Sequence, residues 1–212
     1  MQCDPFIAVA LAACAVMAAE RPAVAVYVEF PADVTSGIRN EFRKEIERAL
    51  GGASVDLVWR LLDKTRAGET FDWLVVVRFQ GDCQPIRMET RGASRPLGLT
   101  HVTDGRVQPF IELNCQRVLE AMDTVNGQGG LHQPQILVGR ALGRVAAHEI
   151  HHALTGGAHH DCEGLMRRSF DRRDLCGSEL SFSEESVRRL KISLGTETQA
   201  VVRSKPKTRS DE

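Results

Sequence analysis

Two rhythms of apolar and polar residues run through the chain, and the switches between them mark its elements. Ala23 to Phe30 (AVAVYVEF), rich in β-branched and aromatic residues and bounded by Pro22 and Pro31, predicts a strand. The spacing then lengthens. Ile38, Phe42, Ile46 and Leu50, with Ala49, share one helical stripe, Thr35 or Ser36 supplies the N-cap, and Gly51-Gly52 ends the helix. Strand-like runs return at Ser54 to Leu62 and Trp73 to Phe79, followed by a polar, Gly/Pro-containing stretch, Gly81 to Pro96, that reads as loop. Leu97 to Val102 and Val107 to Leu113 flank Thr103-Asp104-Gly105-Arg106, and Asp-Gly between extended runs predicts a hairpin. Pro109 has no amide proton for a ladder, which makes the second run an edge strand or a strand end.

Past a flexible connection at Asn126 to Gly130 (NGQGG), a long helical pattern begins at about Gln135. Val138, Leu142, Val145, Glu149 and His152 follow at spacings of four, three, four and three, so they line one face. Two polar residues on that otherwise apolar face are the first sign of chemistry, because burying them without partners is costly. Ser181 to Leu194 predicts another helix, with Ser183 as N-cap, Glu184 and Glu185 in the first turn, and Val187, Leu190 and Leu194 as its stripe. The tail from Arg203 to Glu212 is charged and Pro-containing, as disordered segments are.

A chain of 212 residues that is 42% hydrophobic and 26% charged has the composition of one globular domain. With 27 Lys and Arg against 28 Asp and Glu, it carries no broad basic field, and nucleic acid is not an expected partner. Phe6 to Ala19 (FIAVALAACAVMAA) has the length of a signal-peptide core and is too short to span a bilayer. The expected division is a leader at residues 1–19, one domain at residues 20–202 and a tail at residues 203–212, with a secreted or periplasmic monomer as the product. Two other readings of the leader stand beside this one. It could be a buried N-terminal element, or Leu11-Ala12-Ala13-Cys14 could be a lipobox-like sequence anchoring the protein at Cys14. Loss of the leader would leave Cys83, Cys115, Cys162 and Cys176, an even number suited to an oxidising compartment. Of the three possible pairings, Cys83 with Cys115 and Cys162 with Cys176 is preferred.

Five of the seven histidines fall between His148 and His160. His148 and His152 lie four residues apart, so on a helix both imidazoles project from one face and can reach one zinc ion. Glu149 beside them can polarise a metal-bound water, taking its proton as general base and delivering it later to a leaving amine. An isolated Glu149 would instead be a surface carboxylate paired with Arg144 or another cation. His151 falls off the stripe, as a surface residue or one supporting the ligands. Gly156-Gly157 lets the backbone turn back, after which His159 or His160 can supply a third ligand.

Together with Gly164-Leu165-Met166, these residues resemble the metzincin group of zinc metallopeptidases, in which a methionine turn underlies a three-histidine site. The resemblance implies a zincin-like α+β fold with a twisted mixed β-sheet packed on helices, one of which bears HExxH. It also implies a peptide or protein substrate aligned on an edge strand such as Val107 to Leu113, and Met166 as the floor of the site. The usual metzincin spacing would put glycine and the third histidine at Thr155 and Ala158. Here the glycine is one residue later, and His159 and His160 lie seven and eight residues after His152. The segment from about Arg140 to Phe170 is closer to small exported bacterial proteins with a Gly-Leu-Met-Arg turn, a spacing that Gly164 to Arg167 fits with His160 as ligand. His159 remains the alternative. Two further readings stand beside this one: a zincin with Glu179 or Glu184 as third ligand, and a non-catalytic zinc-binding domain closed by both His159 and His160. Cys162 is a weaker ligand candidate than the histidines.

Overall fold

The structure, a computed structural model, describes residues 21–64, 68–83, 96–123 and 134–195. The leader, the Asn126 to Gly130 connection, most of the Gly81 to Pro96 loop and the charged tail lie outside the described residues. In chain order the elements are β1 (Ala23–Glu29), α1 (Ser36–Leu50), β2 (Asp56–Leu61), β3 (Trp73–Gln80), β4 (Gly98–Thr103), β5 (Arg106–Asn114), α2 (Cys115–Asp123), α3 (Pro134–Thr155), α4 (Arg172–Cys176) and α5 (Glu184–Ser193). The strands form one mixed sheet in the order β2-β1-β3-β5-β4, parallel throughout except for the antiparallel β4–β5 pair. A mixed sheet packed on helices is the expected α+β class. No helix among the described residues is long and apolar enough to cross a membrane.

The periodicities explain the packing. Val24, Val26 and Val28 alternate along β1, as do Val75 and Val77 along β3 and Ile111 and Leu113 along β5. Together with the α1 stripe and Val138, Leu142 and Val145 of α3, they make one core. Thr35 caps α1, accepting from the Ile38 amide at 3.4 Å. The two long helices approach closely: a Cβ at Gly139 would lie 2.7 Å from the Ile38 carbonyl oxygen, and one at Gly143 2.9 Å from that of Phe42. Arg144 crosses this seam fully buried, donating from Nε to Glu45 Oε1 at 2.7 Å and from Nη1 to the Asp174 carbonyl at 2.6 Å. It is therefore the partner of Glu45 and not of Glu149.

Several expectations need correction. The α1 helix runs on through a short 3-10 turn, Gly51–Ala53, and the left-handed residue that redirects the chain is Ser54 (φ 55°), not either glycine. The hairpin forms on Asp104 and Gly105, both with positive φ as a two-residue turn requires, but its second strand is not an edge. β5 lies between β3 and β4, and Pro109 is tolerated because pairing with β3 begins only at Phe110. Among the described residues, the edge strand beside the α3 histidines is β4. Cys83 and Cys115 are joined as expected, tying the end of β3 to the start of α2. Cys162 and Cys176 are free. Arg140 and Arg144 hold the carbonyls of Gly177 and Asp174, which keeps Cys176 partly buried at the end of α4, whereas Cys162 stays exposed in the loop after α3.

Candidate metal centre

Helix α3 brings His148 and His152 to the same face one turn apart, and both are buried. Each is held through Nδ1, which donates to a carbonyl from the chain that follows: His148 to Leu165 at 2.6 Å and His152 to Gly157 at 2.7 Å. With Nδ1 protonated, both Nε2 atoms carry lone pairs. They face each other at 3.0 Å. Two acceptors at that distance repel unless a cation sits between them, so the arrangement fits a metal better than it fits bare imidazoles. His160 joins them after the turn at Gly156-Gly157, its ring centroid 5.2 Å from that of His148 and 4.9 Å from that of His152. One nitrogen from each of the three can be chosen so that all lie within 4.8 Å of one another, and they form a group that could hold a metal ion.

The electrostatics suit a neutral donor set. Burial pushes the His148 pKa down to about 4, against the opposing hydrogen bond to the Leu165 carbonyl, and burial likewise lowers those of His152 and His160. At neutral pH all three are therefore free to ligate. The turn Gly164–Met166 contributes the Leu165 carbonyl that fixes His148, and Met166 is fully buried in it.

His159 does not join the group. Its Nε2 lies 2.9 Å from Asp161 Oδ1, and the other oxygen of that carboxylate accepts from Ser183 and Ser186, both at 2.6 Å, which ties the loop to the start of α5. Glu179 and Glu184 are not in the group either, and no fourth His, Cys, Asp or Glu joins it among the described residues. His151 is not a surface residue. It is 1% exposed, because α5 packs over it and the Ser186 carbonyl lies 3.1 Å from its Nε2.

Glu149 faces the cleft beside the histidines, buried. Burial raises its pKa, and hydrogen bonds from Thr100 together with the charge of His152 oppose that rise. The Thr100 hydroxyl lies 2.7 Å from Glu149 Oε2. Gly98 makes room for this carboxylate: a Cβ there would stand 2.9 Å from Glu149 Cγ and 3.0 Å from Oε1. Sequence reasoning missed both β4 residues. Their one signal is a threonine on the inward side of a strand, two residues after a glycine. The cleft, about 580 Å³, runs between β4 and the loop after α3 and is closed on one side by Phe170, whose ring packs edge-on against His148.

Fold and site thus define an α+β protein with a mixed sheet and a helix-borne three-histidine group able to hold a metal beside a buried carboxylate. No protein-family model matches the chain, and no curated protein does. Among solved structures it is similar to the crystal structure of an archaemetzincin from Methanopyrus kandleri, with a TM-score of 0.48 and 12% identity over 85% of this chain and 99% of that one. A likeness at this distance assigns no activity.

Proposed function

We propose that this chain is a zinc-dependent metallopeptidase in which His148, His152 and His160 hold the metal and Glu149 is the general base. The observation that carries the reading is the pair of Nε2 atoms facing each other at 3.0 Å beside a third imidazole, with a carboxyl group opening into the same cleft. Zinc held there supplies Lewis acidity to a carbonyl oxygen and makes water a nucleophile near neutral pH. Glu149, its pKa raised by burial, accepts the proton of the attacking water and returns it to the leaving amine. An extended peptide has a natural seat on β4, the outer strand of the sheet among the described residues, where Leu99 and Val102 are exposed. The three-member donor set supports an open site, in contrast to a closed binding domain that would also need His159. The Phe6 to Ala19 leader and the Cys83–Cys115 disulfide both support an exported protein.

The test is proteolysis of an unfolded protein by purified chain. Chelation is expected to abolish cleavage and added zinc to restore it, and a hydroxamate should inhibit. A wild type that holds one zinc per chain yet cleaves nothing across a diverse peptide library would favour the closed binding domain.

The cleft also carries a charge preference. Arg117 and Arg167 line it but are paired with Glu120 and Asp174, whereas Arg168 is exposed and has no hydrogen bond or ion pair among the described residues. It lines the cleft together with His160, and its charge is, after burial, the next cause of the lowered His160 pKa. Peptides with an acidic residue beside the scissile bond should be cleaved roughly two- to fivefold faster than lysine counterparts, the scale of an exposed ion pair. Arg168→Glu should reverse the order, and unchanged ratios of kcat/KM would exclude this role.

A further inference from the structure

We propose that Thr100 is the positioning residue of Glu149, a hydroxyl on β4 within hydrogen-bond reach of two acceptors on the same glutamate. Thr100 is 8% exposed and stands in β4 where the pairing with β5 shifts register, between Thr100 and Val102. Its Oγ1 lies 2.7 Å from Glu149 Oε2 and 3.0 Å from the Glu149 main-chain oxygen. A hydroxyl has one proton and two lone pairs, so it cannot donate fully to both oxygens at once.

Oε2 is the nearer of the two acceptors, so the hydroxyl holds the side chain of Glu149 against the main chain of the same residue and fixes which way the buried carboxyl group faces in the cleft. Losing that donor would leave a buried carboxyl oxygen without its hydrogen bond. The γ-methyl of threonine restricts χ1 and keeps the hydroxyl aimed, while Gly98 on the same strand leaves the space the carboxylate occupies. The strand proposed to seat the substrate, β4, thus also sets the base.

The kinetic part of this inference rests on the metallopeptidase reading; the geometric part does not. In zinc-loaded enzyme, Thr100→Val, which keeps the shape and removes the proton, is expected to lower kcat about tenfold with KM and zinc content unchanged, the loss of one hydrogen bond to a reacting group. Thr100→Ser should recover kcat to within about threefold of wild type, since it keeps the hydroxyl. The carboxyl infrared band of Glu149, assigned by its absence in Glu149→Gln, should shift in Thr100→Val and stay in place in Thr100→Ser. A valine variant with wild-type kcat, a serine variant as impaired as valine, or a band indifferent to both substitutions would overturn the proposal. A wild type without peptidase activity would overturn the functional reading instead, and the infrared band would still decide whether Thr100 holds the carboxyl group.

Discussion

Replacing Glu149 by glutamine is expected to leave zinc content and folding intact and to reduce proteolysis of an unfolded protein by roughly a hundredfold or more, the scale of a lost general base. On a helix, the residue after a ligand points about 100° further around the axis, so Glu149 can face the cleft while His148 and His152 keep their shared face. Glutamine preserves the volume that Gly98 leaves open and still offers a side-chain oxygen to the Thr100 hydroxyl, 2.7 Å from Oε2 in the wild type. What it removes is basicity. Glutamine cannot accept a proton from water, and it also relieves the cost of a buried charge, so the thermal midpoint should hold or rise. The measurement is kcat/KM alongside metal analysis of the same preparation. Equal cleavage by wild type and variant would remove Glu149 from the mechanism.

The parts of the fold legible in the sequence are those whose pattern is local. Ile38, Phe42, Ile46 and Leu50 repeat at the helical period with a threonine cap before them, and α1 spans Ser36–Leu50. Asp104-Gly105 can adopt the positive φ angles that a tight hairpin demands, and the turn forms there. Two helices escaped because a cap alone, without a readable period behind it, marks their starts. β5 passes directly into α2 at Cys115, where the only signal is Asn114, whose side chain accepts from the Arg117 amide at 3.0 Å. α4 is too short to show a period and rests on a capping box between Asp171 and Asp174.

The site divides along the same line. His148, Glu149 and His152 are brought together by one helix, so their spacing displays them. Thr100 meets Glu149 across 49 positions of sequence, and Arg144 meets Glu45 across 99, distances at which no local pattern can report a contact. Pro109 shows the opposite error. Its missing amide is a local fact, but what it implies depended on where the pairing of β5 with β3 begins, which only the sheet register reveals.

Loss of His148 or His152 should be the most damaging change in the protein. His148→Ala and His152→Ala are each expected to leave purified chain with well under one zinc and no measurable proteolysis, because a two-imidazole remnant cannot hold zinc at the concentrations a three-ligand site does. The structure makes each loss specific. Leu165 and Gly157 supply carbonyls that receive Nδ1–H and aim each Nε2, so removing one ring leaves the other aimed at half a site. His160→Ala should behave likewise, since its ring stands against both others. His159→Ala is the control that gives the series its meaning. It sits one residue away and is equally able to bind zinc in principle, yet its Nε2 faces Asp161 and its side chain is 45% exposed. It should retain stoichiometric zinc, with at most a small cost from freeing the loop. Zinc affinity by competition with a chromogenic chelator, measured on all four variants with folding checked by circular dichroism, separates the cases. If His159→Ala alone loses the metal while His160→Ala keeps it, the third ligand is His159 and the loop must rearrange on binding. If all four keep full zinc, the metal is held elsewhere and the catalytic assignment built on these histidines falls with it.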